Sequence, residues 1–211
     1  MNKKCCICCN TNRNLFAAEG SSILGLIVVF LSVIIICSAA NCIPRLVQQN
    51  VDGLDFFNRS WAEYKVGFHD TRGNFWLGND LLHQLTTSGR YKLRFDLQAS
   101  NSSWYYAEYS RFIVSSEASN YLLRVSGYSG NAGEYGFSHQ NGMMFTTYDR
   151  DNDLWSDANY GNNCATRYGG GFWYTVWGCS HAKVNSAHSF FTWFHDGRHI
   201  PLQTSRMWLT C

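Results

Sequence analysis

Between Ile23 and Ala40 the chain reads ILGLIVVFLSVIIICSAA, eighteen residues without a charge. A run of that length is at the lower edge of what crosses a bilayer as a helix. Lys3, Lys4 and Arg13 precede it, with Glu19, whereas Arg45 is the nearest basic residue downstream. This bias puts residues 1–22 in the cytosol and everything after Ala40 outside it. Two fates of the segment stay open. Ser38-Ala39-Ala40 fits a signal-peptide cut before Asn41, which would give a secreted protein. Left uncut, residues 23–40 form one N-terminal hydrophobic helix, the signal anchor of a type II single-pass membrane protein. The long lead of residues 1–22 favours the anchor. Either fate places the remaining chain on the extracellular side.

Cys5, Cys6, Cys8 and Cys9 then fall in a basic, Cys-rich cytosolic segment. No His or second cysteine pair stands near them to complete a metal site, and juxtamembrane cysteines are common acylation points. Acylation and inert reduced thiols remain the two readings.

Downstream, Lys+Arg and Asp+Glu balance at 14 each from Asn41 onward. That balance argues against nucleic acid, whose binding rests on clustered basic residues. With 45% hydrophobic and 15% charged residues the chain is expected to fold. No repeat or low-complexity stretch interrupts residues 51–211, so one module is expected there, with residues 41–50 as a tether.

Local signals give the class. Ser60-Trp61-Ala62-Glu63 is a capping box that starts a helix. Asn79 precedes a second short helix with Leu81, Leu82 and Leu85 on one side. Leu93, Phe95 and Leu97 alternate with polar residues as in a half-buried strand. Residues 112–114 and 121–125 flank a hairpin connection over 115–120. Beyond Gly127 the chain is rich in Gly, Asn, Asp, Tyr and Trp without period, a long irregular region of the kind that carries function. The expected class is α+β with an antiparallel sheet and short helices.

Within that region Asp149, Asp151 and Asp153 occupy alternate positions. Three carboxylates so close repel one another unless a cation neutralises them, and hard oxygen ligands suit Ca²⁺. A solvated acidic turn is the other reading. The spacing is not an EF-hand, because Leu154 and Tyr160 stand where its Gly and Glu belong. His69, His83, His195 and His199 show no spacing for a metal or a nucleophilic dyad, and no acid/base pair appears, so an enzyme is not expected. Asn58-Arg59-Ser60 and Asn101-Ser102-Ser103 are glycosylation acceptors. Asn101, in a polar loop, is the better of the two.

Several runs together carry a resemblance. They are Val51-Asp52-Gly53, Asp55 to Lys65, Gly73 to Asn79, Ala107-Glu108-Tyr109, Gly127 to Gly133, His139 to Met143, Asp149 to Asp153, Asn163-Cys164-Ala165 and Gly169 to Tyr174. In order and spacing they resemble the fibrinogen-related domain, the C-terminal module of fibrinogen chains, ficolins, tachylectins, angiopoietins and tenascins. The resemblance spans nearly all of residues 51–211 and implies a fibrinogen C-terminal-like fold.

It also implies a site. The family's calcium loop corresponds to the side chains of Asp151 and Asp153 with main-chain carbonyls, here of Trp155 and a neighbour. Asp157, in a stretch longer than the family's, is a further candidate ligand. Cys164 and Cys179 correspond to the C-terminal disulfide. Cys42 and Cys211 remain, to pair with each other, bridge two chains or stay free. Family members that bind acetylated groups use a Tyr after the first of those cysteines, a His after the second, and later aromatics. Tyr168 keeps the first, Ser180 replaces the His with His181 one position on, and residues 185–191 are too short for the later wall. Tyr168, Trp173, Tyr174 and Trp177 have packing as their other reading.

The family's N-terminal subdomain and its strand to the central sheet are missing before Val51. An N-terminally truncated domain with an exposed sheet edge is therefore expected. Two functions follow from the resemblance. One is calcium-dependent, lectin-like binding of acetylated glycans in innate recognition. The other is a protein-binding module for adhesion or receptor signalling, whose partner is a cell-surface or extracellular protein.

Overall fold

The computed structural model describes residues 43–156, 161–176 and 178–211. The 1–22 segment, the hydrophobic run 23–40 and Cys42 lie outside these residues. Among the described residues no helix is long and apolar enough to cross a membrane.

The elements follow in chain order. First come β1 (Arg45–Asn50), α1 (Trp61–Val66), β2 (Phe68–His69), β3 (Phe75–Trp76), α2 (Asn79–Thr86), β4 (Lys92–Ala99), β5 (Trp104–Val114) and β6 (Leu123–Gly130). Then follow β7 (Phe145–Thr146), α3 (Cys164–Tyr168), β8 (Phe172–Trp173), β9 (Ala182–Lys183), β10 (Thr192–His195) and β11 (Arg198–Thr210). The main sheet runs β2-β3-β1-β11-β4-β5-β6, with β10 joining β11 to β9, and β7 pairs β8 separately. Every pairing is antiparallel.

Alternation fixes which face of this sheet is buried. Leu93, Phe95 and Leu97 of β4 are fully buried, as are Tyr109 and Val114 of β5 and Met207 and Leu209 of β11. The residues between them on β4 remain partly exposed. Against the inner face lie aromatic rings from the irregular second half: Phe137 and Trp193 both stand about 5 Å from Phe95. The aromatic excess in the composition is thus mostly core.

Helix α1 starts as expected. Ser60 N–H donates to Glu63 Oε2 at 2.9 Å, and Glu63 N–H returns to Ser60 Oγ at 3.4 Å, which closes both halves of the capping box. It stops at Gly67, where φ is 94° and a Cβ would lie 2.7 Å from the Leu77 carbonyl oxygen. Helix α2 differs in detail. Gly78 caps it without a side chain, and Asn79 is already helical, its Oδ1 accepting from Trp76 Nε1 at 3.0 Å. Leu82 is buried and Leu85 half-buried, but Leu81 is 42% exposed. The three leucines do not share one buried stripe.

The larger correction is at the start of the module. Arg45–Asn50, expected as part of a tether, is a strand held between β3 and β11. The domain therefore begins before Val51, with β1 paired along both of its edges. The register shifts between Leu46 and Gln48, so Val47 and Gln48 are both buried. Gln48 Nε2 donates to the Val184 carbonyl and to Ser205 Oγ, each at 3.0 Å, and Asn50 Nδ2 donates to the same carbonyl at 3.1 Å. A polar strand sits in the interior because its amides are hydrogen-bonded there.

Candidate functional site

Strand β7 leads into a tight turn in which Thr147 and Arg150 exchange backbone hydrogen bonds. The turn separates the three aspartates by role. Asp149 Oδ1 accepts from Trp61 N–H at 2.8 Å and from Thr147 Oγ1 at 2.7 Å. It therefore serves the first residue of α1, whose N–H the capping box leaves unpaired. Beside it the Arg150 guanidinium lies 4.0 Å from the centre of the Trp61 ring and donates to Asn120 Oδ1 at 2.7 Å. The Trp61 indole N–H donates to Glu117 at 2.7 Å, and Lys65 pairs with the same carboxylate. No sequence spacing pointed to this group, because Trp61 and Asp149 lie 88 positions apart.

Asn152 turns back into the fold, its Nδ2 donating to the Phe145 carbonyl at 2.8 Å. Asp151 and Asp153 are left adjacent. Asp151 Oδ1 accepts from Asp153 N–H at 3.2 Å. The Asp153 carboxylate accepts from Trp155 N–H and Cys164 N–H, both at 3.0 Å, tying the loop to the first residue of α3. Burial pushes the Asp153 carboxyl up to about 6, and the Asp151 charge adds to the rise, while the two backbone N–H bonds oppose it. A half-buried carboxylate beside a second anion is the donor chemistry a hard dication relieves. Among the described residues no three His, Cys, Asp or Glu side chains gather as a metal-binding group. Asp157 lies outside those residues. The described part of the loop brings together two side-chain carboxylates, those of Asp151 and Asp153.

Cys164 and Cys179 are bonded, with their Cα atoms 5.7 Å apart, across 15 positions. Cys211 is also disulfide-bonded, which removes the free-thiol option for it; its partner lies outside the described residues.

Of the three residues expected to bind a ligand, Tyr168 and Ser180 are buried and His181 is half-buried. Tyr168 is 7% exposed. The Lys183 Nζ sits 4.3 Å from the centre of its ring, and Phe190 packs edge-on at 5.0 Å. Burial lowers the proton affinity of the Lys183 ammonium, and the nearby Arg167 charge adds to this. Ser180 is buried, its hydroxyl donating to the Ala182 carbonyl at 2.6 Å. His181 packs among His139, Phe194 and His199, with ring separations of 4.9, 4.6 and 6.1 Å. Its Nδ1 is buried without a hydrogen-bond partner. Trp173 and Tyr174 are packing residues, both almost wholly buried; Trp177 lies outside the described residues. Lys183 is the residue here that sequence reasoning missed.

Comparison with known proteins gives a consistent picture. Residues 37–199 match the profile of the fibrinogen beta and gamma chains' C-terminal globular domain. The chain is 39% identical over 164 residues to protein scabrous of Drosophila melanogaster, covering 76% of this chain and 20% of that protein. The fibrinogen-like globe domain of human ANGPTL2 superposes with a TM-score of 0.69 at 32% identity, covering 79% of each chain. Lamprey fibrin D-dimer, solved with the peptide Gly-His-Arg-Pro-amide, gives 0.65 at 29% identity, covering 78% of this chain and 60% of that one. The chain spans less than half the length of the first full-length relatives it matches: 20, 44 and 17%.

Proposed function

The chain belongs to the fibrinogen C-terminal domain family, whose members are non-catalytic binding modules of extracellular proteins, and from that premise we propose that it recognises a protein or peptide ligand. The observation that carries this reading is the state of Tyr168. Its ring is covered by Lys183 and Phe190, and the hydroxyl of Ser180, which replaces the family's His, is spent on a backbone carbonyl. Among the described residues that leaves an acetyl methyl no open apolar cradle against the Tyr168 ring. The peptide bound to the lamprey relative supports the same class of ligand.

Calcium has a supporting part in this reading. Asp151 and Asp153 hold it, and it neutralises the pair so that the loop leading to Cys164 keeps one shape for ligand contact. Residues 23–40 deliver the module to the cell exterior, as an uncut anchor or a removed signal. Protease added to intact cells would digest an anchored module in place, whereas a cut signal leaves it in the medium.

A second reading, acetylated-glycan binding, draws on one feature: Lys183 is a flexible side chain, and swinging it aside would bare the Tyr168 ring. Retention of the full chain on N-acetylated resin in calcium, with release by EDTA or acetate, separates the two. The protein reading expects no retention. It also expects binding to cells that survives periodate oxidation of surface glycans and is abolished by prior trypsin treatment of the cells. The reverse pattern would establish the lectin.

A further inference from the structure

A cavity of about 430 Å³ opens between two hairpin turns, away from the acidic loop. One wall is the turn joining β4 and β5, with Asn101 at its rim; another is the turn joining β10 and β11, with His195, Asp196 and Arg198. Tyr105 and Ile200 line the space between them. Its shape is set by short bonds. Ser100 N–H donates to the Pro201 carbonyl at 3.0 Å and so joins the β4–β5 turn to β11. The Tyr105 ring stands 4.7 Å from that of His195, whose Nε2 contacts Asp196 Oδ2 at 3.2 Å.

Asn101 opens an Asn-Ser-Ser acceptor sequence. Its Oδ1 accepts from Ser103 N–H at 3.0 Å. Among the described residues its Nδ2 makes no hydrogen bond, so the atom that carries a sugar is unspent on a residue that lines the cavity. The lining suits that sugar. Aromatic rings match the C–H face of a pyranose, while Arg198 and Asp196 offer a donor and an acceptor for its acetamide and hydroxyl groups. The volume lies in the ordinary range for small-molecule pockets, about 300–1,000 Å³.

We propose that Asn101 carries an N-linked glycan whose first N-acetylglucosamine residues pack in this cavity and clamp the β4–β5 turn to the β10–β11 turn. The donor is a lipid-linked oligosaccharyl diphosphate. The sugar's C1–O bond to phosphate breaks, the C1–Nδ2 bond forms, and the amide proton leaves with the diphosphate. The Oδ1 hydrogen bond to Ser103 survives, since substitution is at nitrogen. A tethered sugar occupies the cavity at high effective concentration, so no free ligand competes for it. The proposal rests on the extracellular reading, because only the secretory route meets that donor.

The test uses the full chain expressed through a secretory cell line. Glycopeptide mapping should find Asn101 occupied. Hydrogen exchange of residues 195–201 should be roughly tenfold slower in the glycosylated protein than in Asn101→Gln or in enzymatically deglycosylated protein. Tyr105→Ala should restore fast exchange while leaving occupancy unchanged. Equal exchange with and without the sugar overturns the docking, and an empty Asn101 in protein glycosylated at Asn58 overturns the modification. Sugar at neither acceptor also overturns it. In that case the oxidation state of Cys164 and Cys179 tells whether the extracellular reading falls too, since reduced thiols mean the chain never entered an oxidising compartment.

Discussion

Replacing Asp149 by Ala tests the division of labour among the three aspartates. The substitution removes the acceptor of Trp61 N–H and of the Thr147 hydroxyl. Trp61 is the first residue of α1, and the Ser60–Glu63 box satisfies other groups, so its N–H loses its protein partner. A hydrogen bond to a charged group contributes about 1.5–3 kcal/mol, and a carboxylate at a helix N-terminus about 0.3–1 more. Asp149 is exposed, so water can replace part of the bond, and the lower end applies: about 1.5–2 kcal/mol. For a domain of this size each kcal/mol moves the midpoint by about 2–4 °C, giving a fall of about 3–8 °C. Asp149→Asn keeps an acceptor oxygen and should lose roughly half as much. The assay is thermal melting of the wild type and both variants, each in EDTA and in saturating calcium. Both variants should keep the wild-type calcium response, because Asp149 is committed to α1. If Asp149→Ala abolishes that response, Asp149 is a metal ligand and the argument from Trp61 fails. A loss in EDTA below about 0.5 kcal/mol, the scatter of ordinary surface substitutions, would refute the energetic part.

Three further outcomes follow from the same coordinates. Calcium at ten to a hundred times its dissociation constant should stabilise the wild type by about 1.4–2.7 kcal/mol. Asp151→Asn should remove that gain while leaving the EDTA melting point nearly unchanged, and an intact gain would take Asp151 out of the site. Gly136→Ala places a Cβ 2.2 Å from the buried Trp193 ring, which cannot yield because its indole N–H is bonded to the Ala132 carbonyl. Denaturant titration should show a loss of about 1–3 kcal/mol or more. Burial, with the charges of His139 and Lys183 adding to it, holds the His181 imidazole below the ordinary value of 6.5. As pH falls through that value the unfolded chain takes up a proton that the folded one resists. Stability is therefore full above about 6.5 and declines below it, and His181→Phe, which keeps the ring contacts, should lessen the decline in melts taken from pH 8 to pH 5, the rest coming from His199, which burial holds at about 4.

How much was legible depended on how local the cause was. The Ser60–Glu63 box and the alternation of Leu93, Phe95 and Leu97 act over a few residues, and both formed as read. Leu81 was misassigned because spacing alone does not say where a two-turn helix meets its neighbours. Asp196-Gly197, with φ of 46° and 79°, makes the two-residue turn between β10 and β11. That signal was in the sequence, between runs of strand-forming residues. Strand β1 carried none, since its buried side chains include Gln48 and Asn50. Their partners at Val184 and Ser205 lie 134 to 157 positions away. The acidic loop was visible as a cluster and the resemblance set Asp151 and Asp153 apart from Asp149, but the task of Asp149, accepting from Trp61 N–H 88 positions away, left no trace in the sequence. Tyr168 was found by resemblance, and the Lys183 that covers it was invisible, because a cation over a ring leaves no spacing pattern.

The place of β1 between β3 and β11 has a consequence in time. Its neighbour β3 is made shortly after it, but β11 is the last strand of the sheet to be made. At about 5–20 residues per second, Gln48 waits roughly 8–30 s before Ser205 exists. Until then the middle of the sheet is a gap with strands on either side. Vectorial synthesis cannot complete this domain piece by piece: closure is a single late event, when β11 arrives between β1 and β4.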